Sequence, residues 1–123
     1  MSTSQLSQKD RWHRETVAFV RRVAKLLGLR ASDRAIRSNK GGPAVGGEVT
    51  MSAPGFGVYL HLSCPLNSYG EPDISVGMSL GAHYARKATH DDPYGGGFDK
   101  PNHSFHWMSE DQLAEKLQKI ASN

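Results

Sequence analysis

EVTMSAPGFGVYLHLS, residues 48–63, alternates apolar and polar side chains on either side of a turn. Val49 and Met51 alternate with polar neighbours, and Pro54-Gly55 offers a turn. Phe56, Val58, Leu60 and Leu62 then alternate with Gly57, Tyr59, His61 and Ser63. A period of two sends successive side chains to opposite sides of a strand, so this stretch predicts a β-hairpin with one apolar face. Tyr59 and His61 fall on the other face, toward solvent or a ligand.

Working toward the C-terminus, residues 64–73 read as a turn-rich loop. Ile74, Val76, Met78 and Leu80 alternate with Ser75, Gly77 and Ser79, which predicts a third strand. Its small-residue face would allow close approach by a helix of the same chain or by a partner. The strand either continues or folds back at Gly81, through His83 to Lys87. Residues 89–102 form a long polar loop, a length and composition found in functional or mobile segments. Ser109 then opens a closing helix over 109–121: Gln112 completes a capping box, Met108 can staple onto Leu113, and Leu113, Leu117 and Ile120 stack on one side.

Working toward the N-terminus, residues 1–9 read as a flexible polar tail and residues 10–27 as an amphipathic helix. Trp12, Thr16, Phe19, Val20, Val23 and Leu27 recur at spacings of three and four. Gly28 and Leu29 follow in the order of a left-handed cap with an apolar contact behind it. A second, short helix is expected from Asp33 to Ser38, capped by Ser32. Residues 39–47 are a glycine-rich link. The whole predicts a single α+β domain: helical over 10–40, stranded over 48–88, with an antiparallel meander of three or four strands. Both long helices would pack on one face of the sheet, because each has an apolar stripe to bury and the sheet has one apolar face.

Composition bounds the function. At 123 residues, 37% hydrophobic and 22% charged, the chain is sized for one core and lies away from the signature of disorder. Its single cysteine, Cys64, permits no intrachain disulfide, which favours a reducing compartment and, with no secretory pattern at Met1 to Lys9, a cytoplasmic location. The longest apolar cluster is of the kind at Val17 to Val20, far short of a membrane span. The net charge of +3 is uneven. Residues 1–40 carry ten Lys/Arg against three acids, and the remainder five against nine.

That asymmetry marks the candidate binding residues. Arg14, Arg21, Arg22 and Lys25 lie opposite the apolar stripe of the first helix. Arg30, Arg34 and Arg37 extend the charge beyond its cap, with Arg34 and Arg37 expected to share a helical face. Such a surface docks on an anionic macromolecule (nucleic acid, a nucleoprotein complex or an acidic protein), or is simply a solvated face. No phosphate-cradling glycine motif, hydrolase elbow, helix-turn-helix or zinc-finger spacing accompanies it. Cys64, at a strand end, reads as a packed small hydrophobe.

The alternative site is the loop. His90, Asp91, Pro93, the glycines at 95–97, Asn102 and His106, followed by a helix, bear a loose resemblance to the ββα-metal motif of His-Asn-His nucleases. The resemblance implies His90 as base, Asn102 holding the loop, and Asp91 and His106 as ligands of a divalent ion. The readings are therefore a non-enzymatic binding or inhibitory module without cofactor, a metal-dependent nuclease, or an oligomerising interaction domain such as a homodimer.

Overall fold

The computed structural model describes residues 3–40, 46–66, 69, 83–95 and 102–122, with side chains from Lys9 onward. In chain order the elements are α1 (Thr3–Leu26), a 3₁₀ turn (Ala31–Asp33), β1 (Ala35–Asn39), β2 (Glu48–Ala53), β3 (Val58–Ser63), β4 (His83–Lys87), β5 (His103–Phe105) and α2 (Glu110–Ser122). Among the described residues five strands form one antiparallel sheet in the order β1-β2-β3-β4-β5. α1 packs on β1 and β2, α2 packs on β3 and β4, and the helices touch each other. The expected α+β architecture is present. No helix among the described residues is long and apolar enough to cross a membrane.

Register explains the layering. Met51 pairs with Leu60 and Val49 with Leu62, so the apolar members of the hairpin stand side by side. Ala85 extends this face from β4 and Ile36 from β1. Trp12, Val20 and Val23 of α1 and Leu113, Leu117 and Ile120 of α2 close over it, all buried. Both helix ends follow their sequence signals. Gly28 takes a φ of 75° and the Leu29 N–H donates to the Ala24 carbonyl at 2.9 Å. At α2, the Gln112 N–H donates to Ser109 Oγ at 3.3 Å, and the Ser109 N–H donates to Gln112 Oε1 at 3.2 Å.

Three expectations are corrected. The helix foreseen over Asp33–Ser38 is a 3₁₀ turn followed by β1. A helix of that length pays the nucleation cost for almost no hydrogen bonds, whereas β1 gains a full ladder with β2 from Ala35↔Ser52 to Asn39↔Glu48. The first helix begins at Thr3 rather than Asp10, because a helix pinned by its buried stripe extends at little cost through polar residues. Residues 103–105, not foreseen as a strand, pair with β4 as β5. The strand predicted over Ile74–Leu80, with its small-residue face, lies outside the described residues, as does most of the 39–47 link.

One buried polar group joins helix to sheet. His13 is 1% exposed, and its Nε2 lies 2.7 Å from the Gly46 carbonyl. A carbonyl only accepts, so Nε2 carries the proton and Nδ1 accepts from the Ser38 hydroxyl at 2.8 Å. Burial, opposed by the bond to Gly46, lowers its pKa from the ordinary 6.5. Above that value the ring is neutral in folded and unfolded chains alike, and its contribution to stability is fully present. As pH falls below 6.5 the unfolded chain takes up the proton first, so stability falls.

Two predictions follow from these local geometries. In urea titrations the unfolding midpoint falls between about pH 7.5 and pH 5, and by less in His13→Gln than in the parent. Gly28 and Gly47 both have positive φ, 75° and 71°. A Cβ at Gly28 meets open space, whereas one at Gly47 would sit 1.9 Å from the Asn39 carbonyl oxygen. The same titrations should show a loss of about 1 kcal/mol for Gly28→Ala, and about 3 kcal/mol or more for Gly47→Ala.

Candidate aromatic and cationic sheet face

The side of the sheet turned away from both helices carries a different chemistry. Directly paired residues share a face, and the register defines a row running across all five strands: Arg37, Thr50, His61, Tyr84 and Ser104. Beside it runs a second row of Ala35, Ser52, Tyr59 and Arg86. The same alternation that buries Val58, Leu60 and Leu62 therefore places Tyr59 and His61 outward, as the sequence predicts.

These side chains form a connected cluster. His61 stacks on Tyr84 with centroids 4.5 Å apart and planes 8° from parallel. The Arg86 guanidinium lies over the Tyr84 ring, 4.6 Å from its centroid. Arg86 Nε also donates to Asn102 Oδ1 at 3.1 Å, which fixes the cation in place. Tyr59 contacts Tyr84 at 6.4 Å and meets Tyr94 edge-on at 5.7 Å. Tyr94 is 52% exposed, so a ring face remains available to a ligand. Burial, followed by the neighbouring Tyr84, raises the Tyr59 pKa above its ordinary 10, so its hydroxyl keeps its proton at neutral pH.

The loop that delivers Tyr94 is built from the sheet. The Thr89 and Asp92 backbones bond reciprocally, the Asp92 N–H also reaches Thr89 Oγ1 at 3.1 Å, and Gly95 N–H donates to the Asp92 carbonyl. The Ser52 hydroxyl, on the outer face of β2, donates to the Pro93 carbonyl at 2.7 Å and holds the loop against the sheet. Gly95, with φ 63°, packs so closely on β4 that a Cβ would lie 2.7 Å from the Lys87 carbonyl oxygen.

Between this loop, the α1–β1 connection and the β1–β2 floor lies a cleft of about 760 Å³. Arg34, Arg37, Thr50, Phe56, His90 and Tyr94 are among its lining residues. Arg34 Nε is shielded from solvent and has no hydrogen-bond partner among the described residues. A buried donor left unpaired costs about 1–3 kcal/mol, and more when charged.

The seven basic residues singled out in the sequence fall into separate sets. Arg14, Arg21 and Lys25 are exposed on the outer side of α1, with no ion pair among the described residues. Arg22 there is engaged by Glu110 of α2. Arg30 pairs with Asp33, and Arg37 projects from the opposite side of the molecule with the sheet-face row. Arg34 and Arg37 do not share a helical face, because the backbone between them is extended. Among the described residues no group of three His, Cys, Asp or Glu could hold a metal ion. His90 lines the cleft, Asp91 and His106 are exposed, and Asn102 is occupied by Arg86. Sequence reasoning missed Tyr84, Arg86 and Tyr94. The alternation of Tyr84 and Arg86 with His83 and Ala85 was the available signal for the first two.

Cys64 is buried, 5% exposed, and burial pushes its thiol up to about 11. No family model, curated protein or solved structure matches the chain. The architecture defines a helix-backed antiparallel sheet that presents an aromatic and cationic face. With its thiol protonated, native protein at about pH 8 should react with a disulfide exchange reagent far more slowly than urea-unfolded protein. Equal rates would contradict the buried position of Cys64.

Proposed function

We propose that the chain is a non-enzymatic binding module for single-stranded nucleic acid, which it holds across the outer face of its sheet. The observation that carries this reading is the cluster of Tyr59, His61, Tyr84, Arg86 and Tyr94, with Arg37 in the row of His61 and Tyr84, on the side opposite both helices. Unpaired bases offer flat faces that stack on aromatic rings, while guanidinium groups hold the phosphates. A duplex hides those faces, so the chemistry favours single strands. Arg37 and Arg86 stand on strands three apart, roughly 14 Å at ordinary strand spacing, a span that suits more than one nucleotide. Stacking and the Asn102 bond hold the cluster in place before a ligand arrives, which reduces the ordering cost of binding. The sequence pI of about 9.2 suits an anionic partner.

A second reading has its own support. Arg14, Arg21 and Lys25, exposed and without ion pairs among the described residues, make a basic ridge on α1 that suits duplex phosphates or an acidic protein surface. The metal-dependent nuclease reading gains nothing from a loop whose Asn102 is spent on Arg86.

Fluorescence anisotropy with labelled single-stranded and duplex oligonucleotides, at about 50 and 200 mM salt, tests the proposal. Single strands should bind more tightly than duplex, and Tyr94→Ala should weaken them about 5- to 100-fold, the range that loss of one stacked base produces. Replacing Arg14, Arg21 and Lys25 together with Gln should matter less. No binding at the lower salt would overturn the proposal. Binding that ignores Tyr94 but needs the ridge would move the site to α1.

A further inference from the structure

The cleft beside the sheet face has the features of a site for a single nucleotide unit. Arg34, Arg37 and His90 line it, and the one carboxylate among its described lining residues, Asp33, is already bonded by the Arg30 backbone N–H at 2.8 Å and paired with the Arg30 guanidinium. The local charge left for a ligand to neutralise is therefore positive. Arg34 adds to this: the residue is partly exposed in the lining, and its Nε is shielded from solvent with no partner among the described residues. Buried donors are nearly always paired, and an anion is the partner that a guanidinium pairs with best. The rest of the lining is suited to a flat, mostly apolar body: Leu29, Phe56, Pro93 and Tyr94, with Thr50 beside them. A volume of about 760 Å³ falls within the range of small-ligand sites.

We infer that this cleft binds a nucleoside monophosphate unit, with the phosphate on Arg34 and Arg37 and the base against the Phe56 and Tyr94 lining. The inference rests on the sheet-face reading to the extent that Arg37, Thr50, Ser52 and Tyr94 belong to both surfaces. The shared chemistry has two sources, a free nucleotide or the phosphorylated end of a bound strand. In the second case the cleft gives the sheet face a fixed starting point along the strand.

Isothermal titration calorimetry with AMP, adenosine and inorganic phosphate tests it, on the parent chain and on Arg34→Gln, Arg37→Gln and Tyr84→Ala. AMP should bind at least 10-fold more tightly than adenosine or phosphate. Arg34→Gln should remove most of that advantage, and Arg37→Gln, an exposed strand position tolerant of change, should reduce it. Tyr84→Ala, on the sheet face and outside the cleft, should leave AMP binding unaltered while weakening oligonucleotides. AMP binding no tighter than adenosine, or unaffected by either arginine change, would overturn the cleft even if oligonucleotides still bind. Conversely, arginine-dependent AMP binding with oligonucleotide affinity indifferent to Tyr84 would retain the cleft and remove the sheet-face reading. Oligonucleotides with and without a terminal phosphate separate the sources: a preference for the phosphorylated end identifies the strand, and equal affinity identifies the free nucleotide.

Discussion

The pairing of β2 with β3 is the constraint on which the rest of the molecule depends. With Met51 opposite Leu60 and Val49 opposite Leu62, six apolar side chains of the hairpin stand on one side. A slip of one residue would exchange the faces of the slipped strand, exposing its apolar set and burying Tyr59 and His61 or Thr50 and Ser52. Because the register is held this way, both helices are drawn to the same side. The polar side, with its tyrosines and arginines, is left free of them. The binding face is thus a consequence of core formation rather than a separate construction.

The helical layer contributes more than cover. α1 reaches the end of β1 through His13, whose ring bridges the Ser38 hydroxyl and the Gly46 carbonyl in a nearly dry setting. The Lys40 ammonium meets Asp10 of the same helix at the surface. These contacts anchor a strand with one sheet neighbour among the described residues, and β1 carries Arg37 and forms a wall of the cleft. Edge placement accounts for its residues, since of its five only Ile36 packs against the core.

The separation of the basic residues changes what the charge asymmetry means. Ten Lys/Arg in the first 40 residues suggest one positive surface when the chain is viewed as a line. In the folded chain α1 and β1 lie in different layers, and their cations point away from each other. The arginine best placed among aromatic rings, Arg86, comes from the acidic part of the sequence. A guanidinium stacked on Tyr84 and bonded to Asn102 is a more directed group than one free on a helix.

Everything that depends on local period and local hydrogen bonding is legible along the chain. That includes the hairpin and its two faces, the apolar stripes of both long helices, the Gly28 cap, the Ser109–Gln112 box, and the outward placement of Tyr59 and His61. These are written in neighbours a few residues apart. What only the tertiary structure decided was whatever needs a partner far along the chain. Ala35–Asn39 is a strand because β2 offers it a ladder, and a stretch so short has no period strong enough to say so. Tyr94 belongs to the face because Ser52 holds the Pro93 carbonyl from 41 residues away. Arg34, Phe56 and His90 become one cleft for the same reason: spacing along the chain does not encode which loops a sheet brings together.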